Sequence, residues 1–255
     1  MGKALSILRE KLSKGEPLTI DFIGDSITWG LNHCSAEETY VARFAALFAE
    51  RFNGYRVLRY DGFVVKENAP LDHFDGPIPV AGEAGRPECV VVRNGVGGDT
   101  VRRAINRKED FLGLLPNGKK ANVRFLHFGI NDALACDKSK FVSPDRFEAD
   151  YEELLTYVTR DKECLVILVT PTYNGTKYPL DEYADVVKRV AARHDIPLFD
   201  AHGLWMAHYD PHKDRFGQGN WLSDSKTDAC HFSPEGADVT ARFLFDHFLE
   251  ITTIR

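Results

Sequence analysis

No run of apolar residues in this sequence is long enough to span a bilayer; the longest, such as CLVILV at 164–169, have the length of core strands. No long basic run appears either, and the net charge is −6, which disfavours a nucleic-acid backbone as partner. Cysteines are few: Cys34, Cys89, Cys136, Cys164 and Cys230 form no C-x-x-C pair and are odd in number. That usage suits reduced thiols in a cytoplasm better than a disulfide framework. The first residues, MGKALSILREKLSKGEP, are charged throughout and lack a signal peptide's apolar centre. They nominally fit a myristoylation pattern at Gly2 and Ser6, but an ordinary short helix carrying Leu5, Leu8 and Leu12 is the simpler reading. Linkers, repeats and low-complexity tracts are absent, so 1–255 reads as a single domain.

What is present is material for a large core. Apolar residues make up 44% of the chain, and 17 phenylalanines supply much of the bulk. Short apolar runs predict strands at 18–23, 89–93, 122–128, 164–170 and 196–199. Between them, Val41, Phe44, Ala45, Phe48 and Phe52 repeat at helical spacing, as do Phe147, Tyr151, Leu154, Leu155 and Val158 after the cap Ser143-Pro144. A last helix starts at Ser233-Pro234. Strand–helix alternation predicts an α/β fold with a parallel sheet sandwiched between helices. Residues 55–88, rich in Gly, Pro and charge, are too long for an ordinary connection and read as an inserted hairpin or lid-like loop.

In such folds ligands gather at the carboxyl ends of the strands. Four polar, glycine-bearing segments fall there: Gly24-Asp25-Ser26, then RNGVGGDT at 93–100, then GIND at 129–132, and DACHFSPEG at 228–236 just before the last helix. Each alone is an ordinary cap or turn. Together they are unusual. Of nine serines only Ser26 has a glycine two positions before it, and of nine histidines only His231 has an aspartate three positions before it.

The chemistry explains the grouping. A serine hydroxyl needs an adjacent base to react at neutral pH, and histidine is the fitting base. A carboxylate on the other ring nitrogen orients the imidazole, and Asp228 is placed to do so for His231 on one short loop. An oxyanion then needs donors, which the backbone N–H groups of Ser26 and Gly98 and the side chain of Asn131 can supply. Asp25, Asp99 and Asp132 read as structural braces, and Cys230 as packing, because a side chain adjacent to His231 reaches its ring poorly. HYDPHKD at 208–214 offers His208, Asp210 and His212 as metal ligands, but Pro211 spoils helical spacing and disfavours a metal site. Trp29 and Trp221 flank the site in sequence and offer an aromatic face to a sugar ring or acyl chain.

These four blocks, GDSITWG, NGVGGDT, GIND and DACH, stand in the order of the SGNH/GDSL hydrolase superfamily, which the sequence resembles over residues 20–250. The resemblance implies a flavodoxin-like three-layer α/β/α sandwich. It further implies Ser26 as nucleophile, His231 as base, Asp228 as its orienting carboxylate, and Gly98 and Asn131 as oxyanion donors. The block-two glycines Gly97 and Gly98 are adjacent, and Gly98 is preferred because Asp99-Thr100 follow it. The expected activity is that of a serine esterase without metal or organic cofactor, acting on short acyl groups, including carbohydrate O-acetyl esters. An acyltransferase, a lipase or thioesterase, and a non-catalytic binding module are the alternatives. The α/β-hydrolase elbow Gly-x-Ser-x-Gly is absent.

Overall fold

The computed structural model describes residues 2–30, 34–63, 73–109, 115–134, 137–173, 178–209, 221–224 and 228–252. Its centre is a seven-stranded sheet formed by β1 (Leu18–Gly24), β2 (Arg56–Phe63), β3 (His73–Ala81), β4 (Glu88–Gly95), β5 (Val123–His127), β6 (Leu165–Val169) and β7 (Leu198–Phe199). The spatial order is β3-β2-β4-β1-β5-β6-β7. All neighbours are parallel except β2 and β3, so the sheet is mixed but mostly parallel. The five predicted strands are β1, β4, β5, β6 and β7, within a few residues at each end.

The helices are α1 (Gly2–Lys14), α2 (Ser26–Trp29), α3 (Tyr40–Arg51), α4 (Val101–Asn106), α5 (Pro144–Val158), α6 (Leu180–His194), α7 (Ala201–His208) and α8 (Pro234–Thr252). Capping explains where several begin. Thr39 accepts from the Ala42 N–H ahead of α3, and Ser143 from the Arg146 N–H with Pro144 as first residue of α5. In α1, Leu8 and Leu12 are buried and Leu5 packs at the core's edge. Phe22 and Phe125 stack at 4.5 Å on adjacent strands, and Phe44 of α3 meets both edge-on. Phe44 continues to Phe245 and Phe248 of α8, which packs against α3. Each of these fully buried rings contributes about 2–3 kcal/mol of transfer free energy.

Chain direction across the sheet sets the functional edge. From β1 the chain runs outward through α3 to β2 and β4, and from β4 it returns across β1 to β5, β6 and β7. The β1/β5 boundary is therefore the topological switch point, where strand-end loops diverge and leave a crevice. The described parts of residues 55–88 belong to this sheet. They supply β2, which lies parallel to β4, and β3, a largely exposed antiparallel edge strand.

Glycine lets the functional loops approach the sheet. A Cβ on Gly24 would lie 2.1 Å from Thr28 Oγ1, and one on Gly95 would lie 2.3 Å from the Trp29 backbone nitrogen. These two residues face each other across the β1–β4 pairing, so α2 sits directly on the strand ends.

Candidate active site

Ser26 is the first residue of α2, a single turn that begins where β1 ends. Asp25 caps it, accepting the Ile27 N–H at 2.8 Å. Across the molecule, β8 (Leu222–Asp224) and β9 (Asp228–Phe232) form a small antiparallel pair that carries His231. The DACH segment is thus a strand, not the short loop expected from its polarity. Pairing with β8 and the cap of α8, where Ser233 Oγ accepts the Gly236 N–H, hold it in place.

This arrangement brings His231 Nε2 to 2.8 Å from Ser26 Oγ, across 205 residues of sequence. An imidazole at that distance can take the hydroxyl proton. Asp228 opens the strand that carries His231, but its side chain lies outside the described ones. Cys230 departs from expectation: its Sγ lies 3.7 Å from His231 Nδ1, although the two residues are adjacent in the strand.

Beside Ser26 and His231 is a cavity of ≈ 160 Å³ whose wall includes Gly98 and Asn131. Gly98 has φ +68°, and its carbonyl is turned away to accept from Arg103 at 3.1 Å. Asn131 is buried, and its Nδ2 donates one hydrogen to the Asp99 carbonyl at 2.9 Å. An amide nitrogen carries a second hydrogen. Ser26, Gly98 and Asn131 therefore come to one cavity from three different strand ends. Ile130, Leu134, Lys140 and Tyr178 also line it.

The tryptophans are placed differently. Trp221 is only 8% exposed, and its ring packs edge-on against Trp205 at 5.2 Å, in the core. Trp29 ends α2 and is half-buried, and neither ring lines the cavity. Residues 210–214 of the segment weighed as a metal site lie outside the described residues. Among the described residues no group of three or more His, Cys, Asp or Glu could hold a metal ion.

The three neighbouring aspartates brace the loops. Asp99 pairs with Arg107 Nε at 3.0 Å, and Asp132 accepts the Val101 N–H at 3.2 Å, tying the loop after β5 to the start of α4. Burial raises all three carboxyls, Asp25 to about 7. A carboxyl raised above its unfolded value favours the folded state most at low pH. That contribution is lost as pH climbs from about 4 through 7. Asp25→Asn keeps an acceptor for the cap and removes the ionisation. The fall in melting temperature between about pH 5 and 8 is therefore expected to be smaller in the variant than in the wild type. Thermal melts across that range check it; parallel curves would contradict the assignment.

No described helix is long and apolar enough to cross a membrane. Comparison with curated proteins gives no match. Solved structures give the same fold at low identity. A lipase/acylhydrolase from Enterococcus faecalis aligns with TM-score 0.61 and 20% identity over 92% of this chain and 96% of its own. An acetylxylan esterase from Geobacillus stearothermophilus aligns at 0.59 and 21%, over 93% and 95%. A two-domain esterase active on acetylated mannans aligns at 0.66 and 17%, over 99% of this chain and 54% of that one. A model of the GDSL-like lipase/acylhydrolase family matches residues 79–239. That match contains Gly98, Asn131, Asp228 and His231 but begins after Ser26, so the contact between Ser26 and His231 is a separate observation. With well over half of its length matched, the chain belongs to the GDSL-like lipase/acylhydrolase family.

Proposed function

We propose that this family member is a serine esterase working through an acyl-enzyme, with short acyl groups on a carbohydrate as its substrates. Ser26 Oγ attacks the ester carbonyl while His231 takes its proton. The oxyanion is held by the backbone N–H groups of Ser26 and Gly98 and by the Asn131 amide. His231 then protonates the leaving alcohol, and a water activated in the same way releases the acid. Asp228 orients the imidazole through its other ring nitrogen. The helix dipole contributes little to this, because α2 is a single turn.

The observation that carries the reading is the 2.8 Å approach of His231 Nε2 to Ser26 Oγ at the mouth of the cavity. Size supports the short acyl group: ≈ 160 Å³ is well below the roughly 300–1,000 Å³ of pockets for drug-sized ligands. Lys140 and Tyr178 support a leaving group rich in hydroxyls, and two of the structural neighbours act on acetylated polysaccharides. Cys34, Cys89 and Cys164 are free thiols, which supports a reducing compartment such as the cytoplasm.

A panel of p-nitrophenyl esters from acetate to octanoate, run beside acetylated sugars, tests the substrate class. The expected result is a kcat/KM that falls steeply beyond the shortest chains, with acetate released from the sugars. Equal or rising activity toward octanoate would contradict it. Product analysis with added alcohol or sugar separates hydrolysis from transfer to an acceptor other than water.

A further inference from the structure

A helix of one turn cannot hold its own shape, because fixing the first turn costs more than its hydrogen bonds return. Ser26 begins such a turn, and its position depends on what grips the rest. The middle is held by Thr28 Oγ1, 2.9 Å from the Tyr40 hydroxyl. The far end is held by a charge: an Arg93 guanidinium N–H donates to the Trp29 carbonyl. The residue after that carbonyl, Gly30, donates its N–H back to the Ser26 carbonyl at 2.9 Å. A shift at Trp29 therefore reaches Ser26 through one hydrogen bond.

Arg93 is itself fixed. Its Nε lies 3.0 Å from Asp61 Oδ1 and its Nη2 lies 2.9 Å from Oδ2, a two-point grip. Asp61 is also gripped by Arg59, at 2.9 and 3.2 Å, and Arg59 reaches outward to both Glu37 oxygens at 2.8 and 3.0 Å. Arg59, Asp61 and Arg93 are all buried, and only Glu37 is exposed. Two guanidiniums and two carboxylates leave the chain neutral, so burial does not strand a charge. A brace that only tied β2 to β4 would be complete at the Asp61–Arg93 pair. The further N–H that Arg93 gives to Trp29 connects that brace to the turn carrying Ser26.

We propose that Arg93, held by Asp61 of the β2–β3 hairpin, is a positioning residue that fixes α2 and so aims Ser26 Oγ at His231. The hairpin added outside β4 thereby supports the site without touching substrate. The effect on rate rests on the proposed role of Ser26; the effect on the turn does not.

The test compares Arg93→Met, Arg93→Lys and Arg56→Met with the wild type. Arg56 is the control: it also joins β2 to β4, through Glu88, but does not reach α2. Three quantities are read on folded protein: amide hydrogen exchange of residues 25–30, the rate of fluorophosphonate labelling, and kcat with KM. Arg93→Met is expected to raise exchange at 25–30 and to slow labelling and kcat about ten- to a hundred-fold, with KM changed less than about twofold. Arg93→Lys, which retains a donor and the charge, is expected to recover part of both. Arg56→Met is expected to match the wild type. Wild-type exchange at 25–30 in both Arg93 variants would overturn the proposal, and so would faster exchange with unchanged labelling and kcat. Wild-type labelling that persists in Ser26→Ala, or is absent altogether, refutes the nucleophile instead, and the exchange data still decide whether Arg93 holds the turn.

Discussion

Ser26→Ala is expected to lower ester hydrolysis by about four to six orders of magnitude, and adding His231→Ala is expected to cost almost nothing more. In the proposed mechanism the hydroxyl and the imidazole act as one unit, so removing either removes the step they share. Both single variants and the double variant should converge on the same residual rate, which comes from binding and the oxyanion donors alone. The change at Ser26 is mild structurally. Alanine is a good helix former, and the Asp25 cap uses the Ile27 N–H rather than the serine side chain. Steady-state rates on p-nitrophenyl acetate, fluorophosphonate labelling and a circular-dichroism melt together check it. Activity that survives in a folded Ser26→Ala protein would end the nucleophile assignment.

Asn131→Ala is expected to reduce kcat by about 10²–10³-fold with a much smaller change in KM. In the proposed mechanism the amide meets charge that develops only during reaction, so the ground-state complex loses little. The same substitution leaves the Asp99 carbonyl without its donor at a buried site, which costs about 1–3 kcal/mol of stability. The two effects separate cleanly. Melting temperature reads the second, and kcat measured well below that temperature reads the first. A variant that melts early but turns over at the wild-type rate would remove Asn131 from the oxyanion site.

Much of the fold was legible because most central strands are short, largely apolar runs buried on both faces, interrupted by single polar residues such as Asp21 and Arg124. β1 is buried at every residue, and β5 and β6 likewise. The hairpin was not legible as part of the sheet, for a physical reason. β2 carries Arg59 and Asp61 at buried positions, and β3 contains two prolines and faces solvent along most of its length. Charges that neutralise one another in space look in one dimension like a surface loop.

The site divides in the same way. Ser26, Gly98, Asn131 and His231 were singled out from short motifs, and in the structure these four residues share one cavity. Asp228 stands in the same strand as His231. The sulfur of Cys230 near the imidazole and the burial of Trp221 against Trp205 depend on strand geometry and packing, which sequence adjacency does not encode. Arg93 opens the segment RNGVGGDT but was given no role there. Its signal was a charged residue at the end of an otherwise apolar run, in ECVVVRNG.

The contact between Ser26 and His231 spans 205 residues, and this has a bearing on biosynthesis. A ribosome adding about 5–20 residues per second needs roughly 10–40 s to travel from one to the other. For that interval the nascent polypeptide carries the Ser26 hydroxyl without the imidazole that stands beside it in the fold. On the proposed mechanism, no reactive pair exists until the strand bearing the imidazole has been synthesised and has come to lie beside Ser26.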